Sequence, residues 1–188
     1  MAVTPYRRPF LLSFAMIGLL WAVELINTAL DHRLDAFGIL PRTEQGLWGI
    51  PVAPFLHGNI YHLLNNSLAL AIFTVLVLQY GFARWLQVTL AVIFGGGLLV
   101  WLLGRPAFHI GASGLVYGYL GFLLVGGIAS RRFKFIVIAL CVFALFGGLL
   151  WGVLPMVGFI SWESHLFGLF VGGYLGWALR HKHIGRGE

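Results

Sequence analysis

A single serine, Ser113, lies among small residues in the stretch HIGASGLVYG, at the start of a strongly apolar segment. A serine hydroxyl is a weak nucleophile until a neighbouring base accepts its proton, and histidine is the side chain whose ordinary pKa suits that task. His165 lies at the start of another apolar segment. The two residues together point to acyl transfer by a serine–histidine dyad.

Acyl transfer also needs hydrogen-bond donors for the negative charge that develops on the carbonyl oxygen. His62 and Asn66 are four residues apart, so they share one helix face, and both side chains can donate. Backbone N–H groups near Ser113, at a helix start beside glycine, can add to them. No carboxylate completes a triad, because Glu163, two residues from His165, is expected to face elsewhere.

Each of these polar residues also has a structural interpretation. Ser113 can hydrogen-bond the backbone of its own helix, and His165 can be a donor between helices. His62 and Asn66 can cap a helix start or hold a loop, and loop anchoring is the favoured role of His57. Glu24 lies near the outer end of the first segment, where pairing with a polar neighbour in the bundle is favoured over catalysis, and the sequence leaves its role open.

The composition indicates what kind of protein must position these groups. Of the 188 residues, 60% are hydrophobic and only 10% are charged, and the mean hydropathy is +0.91. Soluble domains carry about a quarter charged residues, so an all-α polytopic membrane protein with a single membrane domain over 1–188 is predicted. The one cysteine, Cys141, permits no intramolecular disulfide, and no zinc-binding pattern occurs.

Six apolar segments are long enough to cross a bilayer. They lie at about 9–30, 60–80, 85–103, 113–129, 133–153 and 163–180. The first is too long for a typical signal-peptide core and is interpreted as a retained helix. The first loop, about 31–59, holds prolines and aromatic residues among few charges, and is expected to lie partly in the membrane interface.

The Lys and Arg residues predict the orientation of these spans. Six spans place both termini on one side, with nine of the 12 basic residues, and leave three on the other, namely Arg33, Arg42 and Arg105. Basic residues concentrate on the cytoplasmic side, so both termini are predicted to be cytoplasmic. The net charge of +6 is then explained by topology and anionic membrane lipids, and no nucleic-acid partner is expected.

This topology brings the candidate chemistry together. The second, fourth and sixth segments all begin on the non-cytoplasmic side, which places His62, Asn66, Ser113 and His165 at one depth. Tyr117, one turn below Ser113, could pack on the imidazole of His165 and orient it. Chance placement on three separate helices would not favour this arrangement, so the catalytic interpretation outweighs the structural ones.

Two glycine stripes predict how the fourth and sixth helices meet. Gly114 and Gly118 lie four residues apart on the fourth helix, and Gly168, Gly172 and Gly176 share one face of the sixth. Glycine stripes let two backbones approach closely. If the stripes face each other, the histidine of the sixth helix reaches the serine of the fourth.

At these residues the sequence resembles the rhomboid family of intramembrane serine proteases. The matching motifs are GASG with a following tyrosine at 117, HLLNN at 62–66 and SHLFGLFVGGYLG at 164–176. Their order and spacing are similar to those of the six-helix bacterial form across nearly the whole chain. The pattern is not GxSxG on a strand-to-helix turn, which excludes an α/β-hydrolase.

The resemblance implies that Ser113 is the nucleophile and His165 the general base of a serine endopeptidase. It also implies a supporting set that lines the oxyanion hole and orients the base: His62, Asn66, Gly111 and Tyr117. The end of the fifth helix and the loop after it, about 152–162, would form a lateral gate and cap.

Substrates would be single-span transmembrane proteins, cut near the outer face of a bacterial inner membrane, with no metal or organic cofactor. Many rhomboids carry a Trp-Arg pair in the first loop, whereas here Trp48 is followed by Gly49, and the nearest arginine is Arg42.

Two other functions compete with the protease. An inactive rhomboid-like protein would bind membrane clients without cleaving them, but such members typically lack the serine or the histidine. A transporter or haem-binding bundle would use His57, His62 and His165, and a haem protein would be coloured when purified.

Overall fold

A computed structural model of the chain describes residues 8–155 and 161–180, and within these ranges it contains six long helical segments. They are α1 (Arg8–Ala29), α2 (Ile60–Leu78), α3 (Phe82–Leu103), α4 (Ser113–Ala129), α5 (Phe133–Phe146) and α6 (Trp162–Ala178). Helix α5 continues as 3₁₀ turns over Gly147–Val153. The all-α prediction is confirmed, and the observed ends lie within three residues of the predicted spans.

Four of these segments are long and apolar enough to cross a membrane: α1, α2, α3 and α5 with its 3₁₀ extension. Helix α4 is apolar but shorter. Six crossings and cytoplasmic termini therefore remain predictions. Arg7, Lys182 and Arg186, which contribute to the predicted orientation, lie outside the described residues.

Helix α4 is the centre of the bundle, between α2 and α6. Tyr119, Leu120 and Leu123 are fully buried there. The hydroxyl groups of Tyr119 and Thr89 on α3 are hydrogen-bonded at 2.6 Å. A helix that is buried on all sides needs partners that fit closely, and glycine supplies the closest fit.

The two glycine stripes face each other across the α4–α6 contact. A Cβ at Gly168 or Gly172 would overlap the carbonyl oxygens of Gly114 and Gly118, respectively. At the far end, a Cβ on Gly176 would lie 2.6 Å from the backbone nitrogen of Gly126. Alanine cannot be accommodated without separating the helices, so these glycines set the distance between α4 and α6.

Two π-helical turns, which the sequence analysis did not predict, interrupt α3 and α4. They span Val92–Gly96 and Phe122–Gly126. The turn in α3 packs directly on the glycine contact, because a Cβ on Gly118 would lie 2.5 Å from both methyl carbons of Val92. Such turns widen a helix locally, here where α3 meets α4.

The first loop folds into three short helices, Arg33–Phe37, Glu44–Gly49 and Ala53–Phe55. Ile39 and His109 form an isolated antiparallel bridge, with N–H···O distances of 2.9 and 3.0 Å, between this loop and the segment before α4. The loop is therefore attached directly to the backbone that leads into Ser113.

A second attachment joins the first loop, which lacks a Trp-Arg pair, to the end of α3. Arg42 donates from Nη1 to the carbonyl oxygens of Leu102 and Gly104, at 3.2 and 2.9 Å. Trp101 on α3 donates from its indole nitrogen to the carbonyl oxygen of Thr43, at 2.8 Å. Trp48 itself is 75% exposed, and the interfacial position of this loop stays a prediction.

Candidate active site

A cavity of about 580 Å³ lies where α2, α4 and α6 begin. Its lining includes Asn59, His62, Asn65, Asn66, Ser113, Val116, Tyr117, Phe146, Leu149, Ser161 and His165. The structure therefore brings the predicted nucleophile, base, amide donor and tyrosine to one cavity, although they are separated by up to about 100 residues in sequence.

The ring of His165 is held from two directions. It stacks on the ring of Tyr117, with centroids 4.1 Å apart and planes within 3°. Its Nδ1 lies 2.9 Å from the carbonyl oxygen of Gly152. A carbonyl oxygen only accepts hydrogen bonds, so Nδ1 carries the proton, and in the neutral ring Nε2 keeps its lone pair. This is the tautomer that a general base acting through Nε2 requires.

The 3₁₀ segment Gly147–Val153 is the support for this ring pair. Tyr117 donates its hydroxyl to the carbonyl oxygen of Leu149 at 2.7 Å, while Gly152 accepts from His165. A Cβ on Gly152 would overlap the hydroxyl of Tyr117, so only glycine fits at this position. The sequence analysis did not single out Gly152, and its only signal was a glycine at the end of a predicted span.

Ser113 is the first residue of α4 and is buried. The chain reaches it through Gly111, whose φ of +110° is a conformation that favours glycine. A Cβ at Gly111 would lie 2.6 Å from Cε1 of His62 and 3.5 Å from Nδ2 of Asn66. The glycine therefore allows the backbone before the serine to approach the two predicted oxyanion donors.

The N-terminus of α2 is capped by Asn59, so neither His62 nor Asn66 is needed as its cap. The side chain of Asn59 accepts from the backbone N–H of His62 at 2.9 Å. Asn66, in contrast, is buried, and its Nδ2 has no hydrogen-bond partner among the described residues. An amide with unused donors beside Ser113 fits an oxyanion hole better than a structural cap.

His57 anchors the first loop beneath this site. It is fully buried, and its Nε2 accepts from the backbone N–H of Ala112 at 3.3 Å. Its ring makes an edge contact with His62, with centroids 5.1 Å apart. Burial lowers the pKa of His57 to about 4, with a smaller effect from the charge of His62. His57 is therefore a neutral acceptor at pH 7, consistent with the anchoring role favoured from the sequence.

Glu163 is paired with Arg105, whereas Nδ1 of His165 bonds to Gly152. Its carboxylate is buried, with Oε1 3.6 Å from Nε of Arg105 and 3.4 Å from the backbone nitrogen of that residue. The ion pair joins the start of α6 to the loop that precedes α4. Glu163, the acid nearest to His165 in the sequence, therefore has a partner of its own in Arg105.

A second connection between the loop before α4 and the start of α6 was missed in the sequence analysis. His109 is buried, and its Nε2 donates to the carbonyl oxygen of Arg105 at 3.1 Å. Its Nδ1 therefore accepts from the hydroxyl of Ser161 at 2.5 Å, and Ser161 accepts from Ser164 at 2.6 Å. Burial lowers the pKa of His109. A histidine two residues before the GASG motif was the only sequence signal.

The part of the chain that the structure describes contains no group of three or more His, Cys, Asp or Glu side chains able to hold a metal ion. The neighbours of the two central residues are instead a hydroxyl, an amide, backbone carbonyls and imidazole rings. This donor set suits proton transfer and stabilisation of an oxyanion.

Comparison with known proteins agrees with the motifs. A family model for the Rhomboid domain matches residues 44–182. An uncharacterized protein of Mycobacterium tuberculosis is 41% identical over 165 residues, covering 83% of this chain and 69% of the relative. RHOMBOID-like protein 1 of Arabidopsis thaliana is 30% identical over 146 residues, covering 76% of this chain and 36% of the relative. Rhomboid protease GluP of Bacillus subtilis is 34% identical over 105 residues, covering 54% of this chain and 20% of the relative. The resemblance inferred from the sequence motifs is confirmed, and the chain belongs to the rhomboid family.

Proposed function

We propose that this chain is an intramembrane serine endopeptidase that works by a dyad of Ser113 and His165. The observation that carries the proposal is the orientation of His165, whose Nδ1 donates to Gly152 while its face rests on Tyr117. Its Nε2 is then the basic nitrogen, on a ring that lines the same cavity as Ser113. Membership of the rhomboid family supports a protease in general, and this geometry supports the serine type.

The reaction begins when Oγ of Ser113 attacks the scissile carbonyl carbon and Nε2 of His165 takes the hydroxyl proton. The carbonyl oxygen becomes negatively charged, and Nδ2 of Asn66, the side chain of His62 and the backbone N–H of Ser113 are the proposed donors to it. The protonated His165 then gives its proton to the leaving amine nitrogen, which leaves an acyl-enzyme.

Water completes the cycle. Nε2 of His165 removes a proton from water as the oxygen attacks the acyl carbon. The second tetrahedral intermediate then collapses to a carboxylic acid, and Oγ of Ser113 leaves and takes that proton back from His165. The imidazolium is stabilised at both steps by the carbonyl oxygen of Gly152 and the face of Tyr117. A carbonyl and an aromatic ring thus do the orienting and stabilising that a carboxylate does in a triad.

The substrates we propose are single-span transmembrane proteins in a bacterial inner membrane. The cavity lies at the end of the bundle that the charge distribution assigns to the non-cytoplasmic side. A peptide bond becomes accessible only when the substrate helix unwinds, because helical carbonyls are hydrogen-bonded, and glycine or proline in the substrate lowers that cost. Of the proposed gate and cap at 152–162, residues 156–160 lie outside the described residues.

Labelling of the purified protein with a fluorophosphonate probe tests the dyad. We expect labelling of the wild type and loss of labelling in both Ser113→Ala and His165→Ala. Ser130→Ala, a serine at the opposite end of the bundle, is the matched control and should label normally. Labelling that persists without Ser113 or without His165 would disprove the dyad.

Cleavage of a single-span transmembrane peptide in liposomes then separates the two rhomboid-like functions. A protease converts the peptide to two products, and the products disappear in Ser113→Ala. A client-binding protein without activity would retain the peptide, produce no products and leave the probe unreacted.

A further inference from the structure

A small basic pocket lies at the end of the bundle opposite the active site, where α2, α4 and α6 end and α3 begins. Its volume is about 20 Å³, and its lining includes Tyr80, Arg84, Ser130, Arg132 and Arg180. None of the described lining residues is acidic. The proposed reaction uses none of these side chains, so their concentration at one point needs a separate explanation.

Two donors in this pocket are buried without hydrogen-bond partners. Tyr80 is 6% exposed, and neither its hydroxyl nor Nη1 of Arg84 has a partner among the described residues. The ring of Tyr80 is fixed by stacking on Phe135, with centroids 3.9 Å apart, and by an edge contact with Phe122 at 4.9 Å. A buried donor that stays unpaired is costly, so a fixed pair of them indicates an acceptor that binds there.

The ordinary explanation of arginines at this end is that they bind the last carbonyl groups of helices. Arg180 does so, since its Nη1 donates to the carbonyl oxygen of Trp177 at 2.6 Å, with its guanidinium 4.4 Å from the ring of that residue. Arg84 is in the first turn of α3, where the free backbone groups are N–H donors. Helix capping therefore explains Arg180 and leaves Arg84 and Tyr80 unexplained.

We propose that this pocket binds a phosphate group. A cavity of about 20 Å³ has room for one water molecule, and therefore for one phosphate oxygen. We place this oxygen between the hydroxyl of Tyr80 and Nη1 of Arg84, which both line the cavity. The remaining phosphate oxygens lie at the mouth, within the field of Arg132 and Arg180. Phosphate oxygens accept hydrogen bonds, and arginine is the side chain best suited to donate to them.

The phosphate can come from two sources. The pocket is at the end of the bundle, and in the proposed membrane orientation it is level with the headgroups of the cytoplasmic leaflet, where basic pockets between helices bind anionic lipid headgroups. Free phosphate in the cytoplasm offers the same acceptor oxygens. Both share the recognition chemistry, and a direct comparison distinguishes them.

Native mass spectrometry of the full chain in detergent measures binding of phosphatidylglycerol against phosphatidylcholine. The test variants are Tyr80→Phe, which removes one hydroxyl, and Arg84→Gln. The matched control is Arg131→Gln, which removes an equal charge from an exposed side chain at the same end but outside the pocket lining. Circular dichroism and gel filtration establish that each variant folds. Because the experiment measures lipid binding, its outcome does not depend on the proposed protease activity.

We expect phosphatidylglycerol to bind more tightly than phosphatidylcholine, and Arg84→Gln to weaken its binding about tenfold, the effect of losing one charged hydrogen bond. Tyr80→Phe should weaken it by a smaller factor, and Arg131→Gln should have little effect. If millimolar inorganic phosphate raises the Tm of the wild type but not of Arg84→Gln, the pocket also takes free phosphate. If the Tm rises with phosphatidylglycerol but not with inorganic phosphate, the ligand of the pocket is the lipid headgroup.

Two outcomes would overturn the proposal. Wild-type lipid binding in both Tyr80→Phe and Arg84→Gln, with no phosphate-dependent rise in Tm that Arg84→Gln removes, would show that the pocket holds no phosphate. Equal losses in Arg84→Gln and Arg131→Gln would show a general effect of surface charge.

Discussion

Replacing Gly168 by alanine tests whether the close approach of α4 and α6 sets the geometry of the dyad. Gly168 lies one turn after His165, and it faces the backbone of Gly114, the residue after Ser113. An added Cβ would lie 3.0 Å from the carbonyl carbon of Gly114 and closer to its oxygen. Carbon atoms in contact are about 3.5–4.0 Å apart, so the carbonyl carbon alone requires α6 to move outward by roughly 0.5–1 Å, and the closer oxygen requires more.

That movement is large on the scale of catalysis. A displacement of about 1 Å in a catalytic group can reduce the rate about 100-fold, whereas overpacking of this kind costs about 1–3 kcal/mol of stability. We therefore expect Gly168→Ala to remain folded, with a lower Tm, and to react with a fluorophosphonate probe about 100-fold more slowly than the wild type.

Gly173→Ala is the matched control on the same helix. Its Cβ would lie 3.4 Å from a methyl carbon of Val125 and 3.9 Å from the carbonyl oxygen of Gly121, which are ordinary contacts. It should therefore label at close to the wild-type rate. Wild-type labelling of Gly168→Ala, or an equal loss in both variants, would refute the reasoning that the backbone contact positions the base.

Three further perturbations address the loop and the network behind the base. Because burial lowers the pKa of His57 to about 4, the folded state loses stability as the pH falls from about 6.5 towards 4, by roughly 3 kcal/mol at 1.36 kcal/mol per pH unit. Urea unfolding across this range should show the loss, and His57→Gln should make the loss smaller, with the share of His109 remaining. Arg42→Gln removes two hydrogen bonds to the end of α3 and should lower stability by about 1 kcal/mol, measured as a fall in Tm; an unchanged Tm would contradict the anchoring role. Ser161→Ala removes the hydroxyl that joins His109 to the start of α6, so kcat should fall with KM unchanged, and Ser161→Thr should restore most of it. A change in KM alone would instead indicate a substrate-binding role for this serine.

The helices and the meeting of the motifs were predictable because both depend on patterns in the sequence itself. Long apolar runs have few ways to satisfy their backbone groups in a membrane, so the helix ends follow the limits of hydrophobicity. Glycines at spacings of three and four residues mark one face of α6, and alternation of the chain direction places the polar starts of α2, α4 and α6 together. Tyr117 was expected near His165 for the same reason, and its ring lies against the imidazole.

The features that were missed depend on backbone groups or on partners far away in the chain. The π-helical turns in α3 and α4 follow from how helices fit together in space, for which the local sequence gives only runs of glycine. The acceptors for Arg42 and His165 are carbonyl oxygens, and every residue has one, so residue types could not identify them. Trp101 was likewise indistinguishable from any other aromatic residue near the end of a span.

The choice of a carbonyl oxygen as the partner of His165 has a physical reason in this setting. A carboxylate next to the imidazole would place an ionised group in a buried part of the bundle, where it must be paired to be tolerated. The nearest acid, Glu163, is paired with Arg105 instead and faces the loop before α4. The carbonyl of Gly152 fixes the same tautomer without adding a charge, and it depends on a glycine that leaves room for the ring of Tyr117. The proposed base is therefore positioned by the same 3₁₀ segment that contributes Leu149 to the cavity wall, so we expect movement of that segment to change both access to Ser113 and the orientation of His165.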